Sequence, residues 1–217
     1  MEKGFKFSLI LVLMFSLCFF GKTLDVQARA TGTKNFVVKA KIPSATSVTF
    51  SGNKIKDVDD KPVVVQKDVS SFDFGTLKYV DKYGTWMSDY YFNLYVGASG
   101  GAGNPSITVQ YTEGAKPTGQ KYGLGHRTTV TFVKVTRVND KDVENLMASH
   151  PKKFLASLSK SESIASSELV GGWFKMYVGT YDGNDPNLNQ VEGGAPFTNG
   201  DQPGTYDGTL KITATVQ

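Results

Sequence analysis

The stretch that decides the fold is P-G-T-Y-D-G-T-L-K-I-T-A-T-V-Q, Pro203 to Gln217. Tyr206, Leu210, Ile212, Ala214 and Val216 fall on one face, with Gly208 between the first two. Asp207, Thr209, Lys211, Thr213, Thr215 and Gln217 fall on the other. A period of two with one apolar and one polar face predicts a β-strand half in a core and half in water. The alternation runs to the last residue with no polar tail. Such a strand is either paired within its domain or left at an edge, where an exposed apolar strand invites docking.

The other end of the chain predicts export. Lys3 and Lys6 precede an uncharged run from Phe7 to Phe20, and Ala28-Arg29-Ala30 offers an A-x-A cleavage site. This is the pattern of a secretory signal peptide over residues 1–30, with a run too short for a membrane span. Cys18, the sole cysteine, follows Leu17 where a lipoprotein signal wants a small residue, which speaks against lipidation. Cleavage after Ala30 leaves 187 of the 217 residues, enough for one sandwich-sized domain or a tight pair of them. That domain has no cysteine and must hold together on its core alone. The leader carries Lys3, Lys6, Lys22 and Arg29 against Glu2 and Asp25, so its loss takes the net charge from +4 to +2. With no basic run interleaved with aromatics, a nucleic-acid partner is not indicated.

After the leader, T-K-N-F-V-V-K-A-K-I (Thr33 to Ile42) alternates again, with Phe36, Val38, Ala40 and Ile42 on one face and Pro43 ending the run. On pattern alone it fits an ordinary first strand as well as a free extension. Short β-type pieces follow: Ser47 to Phe50, then Ser51-Gly52-Asn53 as a turn; Val63 to Val65; Phe72 to Leu77; and Tyr90 to Val96. After a small-residue loop, Gly97 to Asn104, come Ile107, Val109 and Tyr111 and the longest run, Thr128 to Val138. Many short strands separated by Gly, Pro and Asn predict an all-β sandwich. One segment changes period. From Asp140, Val143, Leu146, Met147, Phe154, Leu155 and Leu158 fall at helical spacing, predicting a small helical insertion over about 140–160. A Ser-rich linker leads to W-F-K-M-Y-V-G-T-Y, where Phe174, Met176 and Val178 form one face and Trp173, Tyr177 and Tyr181 the other. That aromatic face is either covered by a neighbouring element or a ligand platform.

No catalytic constellation emerges. The two histidines sit in unlike settings, His126 in a turn and His150 before Pro151, and there is no G-x-S-x-G elbow. Gly97 to Gly103 and Gly123 to Gly125 lack the Gly-Lys-Ser/Thr of a phosphate loop, and two histidines without cysteines make no structural zinc site. The one loop rich enough in oxygens for an ion is Asp182 to Asn189. It lacks the closing glutamate of an EF-hand, and its Asn, Asp, Gly and Pro equally suit plain turns. Neither a cofactor nor a metal is therefore expected.

Read together, the termini resemble a chaperone–usher pilin, closest to the alpha class of colonisation-factor type. The resemblance rests on Lys34, Asn35, Phe36, Val38, Ala40, Ile42 and Pro43 near the start and on Gly204, Tyr206 and Gly208 at the final strand. F-G-T-L at Phe74 to Leu77 with Gly84-Thr85-Trp86 is similar to the archaic class, whose cysteine pair this chain lacks. About a quarter of the chain carries the likeness. It implies an incomplete immunoglobulin-like sandwich over 44–217 and a donor-strand extension over 31–43 that fills a neighbour's groove. The implied donor residues are Phe36, Val38, Ala40 and Ile42; the implied groove edge is Tyr206, Leu210, Ile212, Ala214 and Val216. Partners so implied are neighbouring pilin subunits, a periplasmic chaperone, an outer-membrane usher and a host glycan or protein receptor, with the fibre at the cell surface. Burying the four donor side chains would contribute roughly 5–8 kcal/mol, against a domain stability of about 5–15 kcal/mol. The helical insertion and the long loop Tyr181 to Thr198 have no counterpart in that pattern, which points to a minor or tip subunit.

Two other readings compete. A secreted carbohydrate-binding sandwich would use Trp86, Trp173, Tyr177 and Tyr181 as its platform and fold its N-terminal strand into its own sheet. An exported hydrolase would need a carboxylate pair, for which only Asp182, Asp185 and Glu192 lie close in sequence.

Overall fold

The final alternation is realised as a strand from Gly208 to Val216 in which Leu210, Ile212, Ala214 and Val216 are buried and the intervening residues are not. The computed structural model describes residues 30–35, 47–99, 105–138, 141–169 and 173–216. In chain order its strands are β1 (Ala30–Asn35), β2 (Ser47–Val58), β3 (Lys61–Lys67), β4 (Lys78–Val80), β5 (Thr85–Met87), β6 (Tyr91–Ser99) and β7 (Ser106–Glu113). Then come β8 (Thr128–Val138), β9 (Lys141–Leu146), β10 (Lys153–Phe154), β11 (Glu162–Ile164), β12 (Trp173–Thr180) and β13 (Gly208–Val216).

They form an all-β sandwich. One sheet has the order β1-β13-β7-β11; the other runs β10-β8-β12-β6-β2-β3, with β9 also on β8, and every pairing is antiparallel. Leu210, Ile212 and Ala214 with Ile107 and Val109 face Phe92, Leu94, Val96, Phe132, Phe174 and Met176 across one core. β8 spans the residues its two apolar faces predicted, and β12 buries Phe174, Met176 and Val178 as expected. A small separate cluster joins Phe154, Tyr181 and Leu188.

Three local expectations change. Ser51-Gly52-Asn53 is no turn but the middle of β2. A Cβ on Gly52 would lie 3.2 Å from Val69 Cγ2, so this glycine makes room for the chain folding back over the strand, where the Val69 amide donates to the Gly52 carbonyl at 2.9 Å. Phe72 to Leu77 forms no strand. Gly75 adopts φ +67, its amide donates to Asp73, and the segment crosses the open end of the core, with Phe72 stacked on Phe92 at 4.6 Å and Phe74 edge-on to it at 5.2 Å.

The helical insertion survives only as a short 3-10 turn, Leu155–Ser159, which buries Leu155 and Leu158. Its first half is β9 instead, because residues 141–146 find a full antiparallel partner in residues 133–138 of β8. Val143 and Leu146, whose spacing suggested a helix, are exposed. The Ser-rich linker likewise contributes β11, paired with β7.

Candidate functional site

Interest centres on β13, because it is the strand both ends of the sequence point to. Its inner neighbour is β7 and its outer neighbour is the chain's own N-terminal strand β1. In that antiparallel pair Ala30, Gly32 and Lys34 stand opposite Val216, Ala214 and Ile212, and the pairing ends at Asn35 opposite Lys211. Gly208, Thr209 and Leu210 have β7 on one side and no described strand on the other. The groove-edge residues Leu210, Ile212, Ala214 and Val216 are therefore brought together as one buried row. The donor residues Phe36, Val38, Ala40 and Ile42 lie outside the described residues.

Tyr206 does not belong to the strand. It sits in the preceding loop, edge-on to Phe197 at 5.0 Å, and its hydroxyl donates to the Gln202 carbonyl at 2.7 Å. Gly208 is required by packing: a Cβ there would fall 2.0 Å from the Tyr111 hydroxyl and 2.4 Å from its Cζ. Tyr111 itself donates to Glu113 at 2.9 Å. Asp207 ties the start of β13 to the loop after β7, with Gly114 donating to its carbonyl and its own amide donating to Ala115, each at 3.0 Å.

Beside this start opens a cleft of about 780 Å³, between the segment carrying Phe72, Phe74 and Leu77 and the loop from Phe197 to Gly208. Buried Arg127 and Asp201 hold the loop. The guanidinium donates to the Asp201 carboxylate at 2.6 Å and to the carbonyls of Ala195 and Pro196; Asp201 also accepts from Gln120 and from the Thr198 amide. Trp86 closes the mouth, its indole N–H donating to Asn199 at 2.8 Å. Neither the clamp nor the cleft could be found by local pattern, since Arg127 and Asp201 are 74 residues apart.

The three aromatics of the suggested platform separate. Trp173 is exposed, but its ring lies over Gly97, where a Cβ would come within 2.5 Å of it. The Tyr177 hydroxyl donates to Glu144 of β9 at 2.7 Å, and buried Lys175 pairs with the same carboxylate while lying 4.8 Å from the Tyr95 and Tyr177 ring centres. Burial, and then the Glu144 hydrogen bond against the nearby Lys175 ammonium, push Tyr177 up to about 12. Burial works against the Lys175 ammonium, but its hydrogen bonds to Glu144, Tyr177 and Tyr95 outweigh that and raise it. Tyr181 is buried beneath its own loop, edge-on to Phe154 at 5.1 Å, so it offers no ring to a ligand. Trp86 lies with the cleft, apart from these residues.

The oxygen-rich loop holds itself together. Asp182 accepts the Asn184 amide, Asp185 accepts the Asn187 amide, and Asn189 is bonded to Tyr181 and to the Gly183 carbonyl. Among the described residues no group of three His, Cys, Asp or Glu is placed to hold a metal ion. Asp182, Asp185 and Glu192 do not line the cleft. His150 lies buried between Glu162 and Glu168, at 2.5 and 2.8 Å, with Lys153 on Glu162; His126 lies elsewhere beside Tyr122, the two rings tilted by 43°. Among the described residues no helix is long and apolar enough to cross a membrane.

No protein-family model matches the chain, and no curated protein matches it. Among solved structures, a chain from a chaperone–tip adhesin complex of CFA/I fimbriae biogenesis is similar to it at 12% identity, with a TM-score of 0.33. The alignment covers 79% of this chain and 53% of that one, so this chain spans about half the neighbour's length. A superposition that shallow says nothing about what this chain does.

Proposed function

We propose that the protein is an exported structural subunit of a surface fibre of the pilus type, polymerised by strand exchange onto β13. One relationship of register carries this reading. With the leader removed after Ala30, β13 meets Gly32 opposite Ala214 and Lys34 opposite Ile212, a glycine and a lysine rather than apolar residues. A donor strand slid by six residues in the same antiparallel sense keeps every residue on the same face, because six is even. It sets Phe36 opposite Val216, Val38 opposite Ala214, Ala40 opposite Ile212 and Ile42 opposite Leu210, four apolar residues against four. Pro43 then falls opposite Thr209, beside the cleft, where a strand can end without a ladder amide.

Self-pairing in the first register serves as a holding state, and exchange to the second exposes a subunit's own extension to the next copy. Main-chain bonds along β13 supply affinity and the alternate side chains supply register. On this reading the partners are further subunits, a periplasmic chaperone that shields the strand before assembly, an outer-membrane usher and a host receptor. The protein acts without catalysis, at the cell surface.

The test is a face-specific substitution series on the exported chain. Val38→Asp and Ala40→Asp should abolish polymers that resist detergent without heating, while Lys39→Asp and Lys41→Asp on the opposite face leave them intact. Equal loss on both faces, or none on either, contradicts the reading.

A further inference from the structure

The walls of the cleft beside β13 are fixed by bonds that leave its aromatic faces open. Trp86 is held from two sides: its backbone amide donates to the Phe197 carbonyl at 2.9 Å, and its indole N–H donates to Asn199. Its ring is nonetheless 37% exposed. Tyr206, half-buried, is held by its hydroxyl on the Gln202 carbonyl and by its edge-on contact with Phe197. On the other wall the Ser88 hydroxyl donates to the Phe74 carbonyl at 2.7 Å and pins the segment that carries Phe72 and Leu77. A buried ion pair such as Arg127–Asp201 pays for its own desolvation and adds little net stability. Beneath a surface loop, it fixes a shape.

The polar groups along this cleft are of one kind. The Asn199 carbonyl oxygen is taken by the Trp86 indole, which leaves its amino group free to donate. The Gln202 carboxamide and the Thr76 and Thr205 hydroxyls are exposed and bond to no described residue. Charge narrows what they can bind. Among the described residues no Lys, Arg or His lines the cleft, so an anion finds no counterion there. Its carboxylates already have partners: Asp201 holds Arg127 and Gln120, Asp73 the Gly75 amide, and Asp207 the Ala115 amide. A cation therefore finds no unpartnered one. A wholly apolar ligand would strip water from the hydroxyls and carboxamides without replacing it. The ligand that fits is uncharged, with apolar faces and many hydroxyls. A pyranose ring answers that description: its C–H face packs on an aromatic ring, and its hydroxyls donate and accept as carboxamides do.

We propose that this cleft binds a neutral saccharide, with Trp86 and Tyr206 as stacking surfaces and Asn199 and Gln202 reading the hydroxyls. Its volume of about 780 Å³ falls within the range of ligand sites, about 300–1,000 Å³. The walls are set before the ligand arrives, so little ordering is left to oppose binding. None of the four residues lies on β13. The site is complete in one chain and stands whether or not strands exchange. On the fibre reading it recurs once per subunit, and weak sites repeated along one fibre strengthen each other through effective concentration.

With only two tryptophans in the chain, the test can be made specific to the cleft. The exported chain is first applied to an array of neutral, sialylated and sulfated oligosaccharides. The strongest neutral ligand, and choline as a cationic probe, are then titrated into a Trp173→Phe chain, whose sole indole is Trp86. Neutral oligosaccharides should bind, sialic acid or sulfate on the same core should not improve them, and Trp86 emission should shift to saturation. Gln202→Ala should weaken binding about two- to tenfold, the loss of one neutral hydrogen bond, at an unchanged Tm because its side chain holds nothing in the fold. Trp86→Phe, checked for an intact fold by its own Tm, should weaken it further. Polymers of Gln202→Ala should form as in the native chain, so failure of this site and failure of strand exchange are read separately. The proposal is overturned if no neutral oligosaccharide on the array binds, if sialylation or sulfation is required, or if only choline shifts the emission. Binding that Gln202→Ala and Trp86→Phe both leave unchanged overturns it as well.

Discussion

Lys34 stands directly opposite Ile212, one of the most deeply buried residues of the sandwich, in the antiparallel pair of β1 with β13. The chain's own N-terminus thus occupies the outer edge of the last strand with a sequence poorly matched to it. An edge filled by a weak partner is protected from indiscriminate pairing yet open to a better one. Lys34→Ile should tighten the self-paired register by about 0.2–1 kcal/mol, the scale of one improved cross-strand pair. The expected outcome is a higher Tm for the monomer with slower polymer growth, read by thermal unfolding and by light scattering on the same preparation.

The start of β13 depends on the absence of a side chain at residue 208. Gly208→Ala would drive a methyl into the buried Tyr111 ring, and overpacking of this kind costs about 1–3 kcal/mol. Gly200→Ala is the control, since its nearest neighbour, the Thr198 hydroxyl, lies 3.6 Å away and leaves room for a methyl. Denaturant unfolding should separate the two variants by their midpoints at an unchanged slope.

The loop over the cleft hangs on one ion pair. Asp201→Ala leaves the Arg127 guanidinium buried without its carboxylate, and breaking a buried pair on one side costs about 3–5 kcal/mol. Replacing both, as Arg127→Met with Asp201→Leu, should cost clearly less than the single change, because no charge remains buried. A double-mutant cycle on thermal stability measures the difference.

The outer face of the larger sheet sets an alkaline limit. Tyr177 and Tyr91 both titrate at about 12 in the folded protein, the first raised by burial and Glu144, the second by burial and Asp57. A tyrosine whose folded value is raised loses its proton earlier when unfolded, so stability falls as pH rises from the ordinary value near 10 towards about 12. Lys175, also raised, contributes in full below its ordinary value near 10.5 and loses that contribution as pH climbs through its folded value. All three act in the same direction. Tm should therefore decline from about pH 10 upward, and Tyr177→Phe should flatten the decline measured by circular dichroism.

What the sequence revealed followed from period and burial together. β8, β12 and β13 have faces that alternate or are apolar on both sides, and they form where that pattern places them. The insertion was misread because Val143 and Leu146 mimic a helical stripe although no core lies beneath them. Phe72 and Phe74 looked like a strand because the period of two also describes a chain laying alternate rings over Phe92. The Arg127–Asp201 clamp and the Lys175–Glu144–Tyr177 group were invisible because their members come from distant strands and loops. The row on β13 was legible residue by residue; that β1 would cover it in so poor a register was not.

On this reading β13 takes Phe36, Val38, Ala40 and Ile42 from another copy in preference to its own Gly32 and Lys34. The most direct measurement is thermal unfolding of residues 44–217, alone and with a synthetic Thr33-to-Pro43 peptide. The domain alone should be unstable or aggregate, and the peptide should raise its Tm by tens of degrees, as expected for burial worth several kcal/mol in a domain this size. A stable monomer indifferent to the peptide would contradict it.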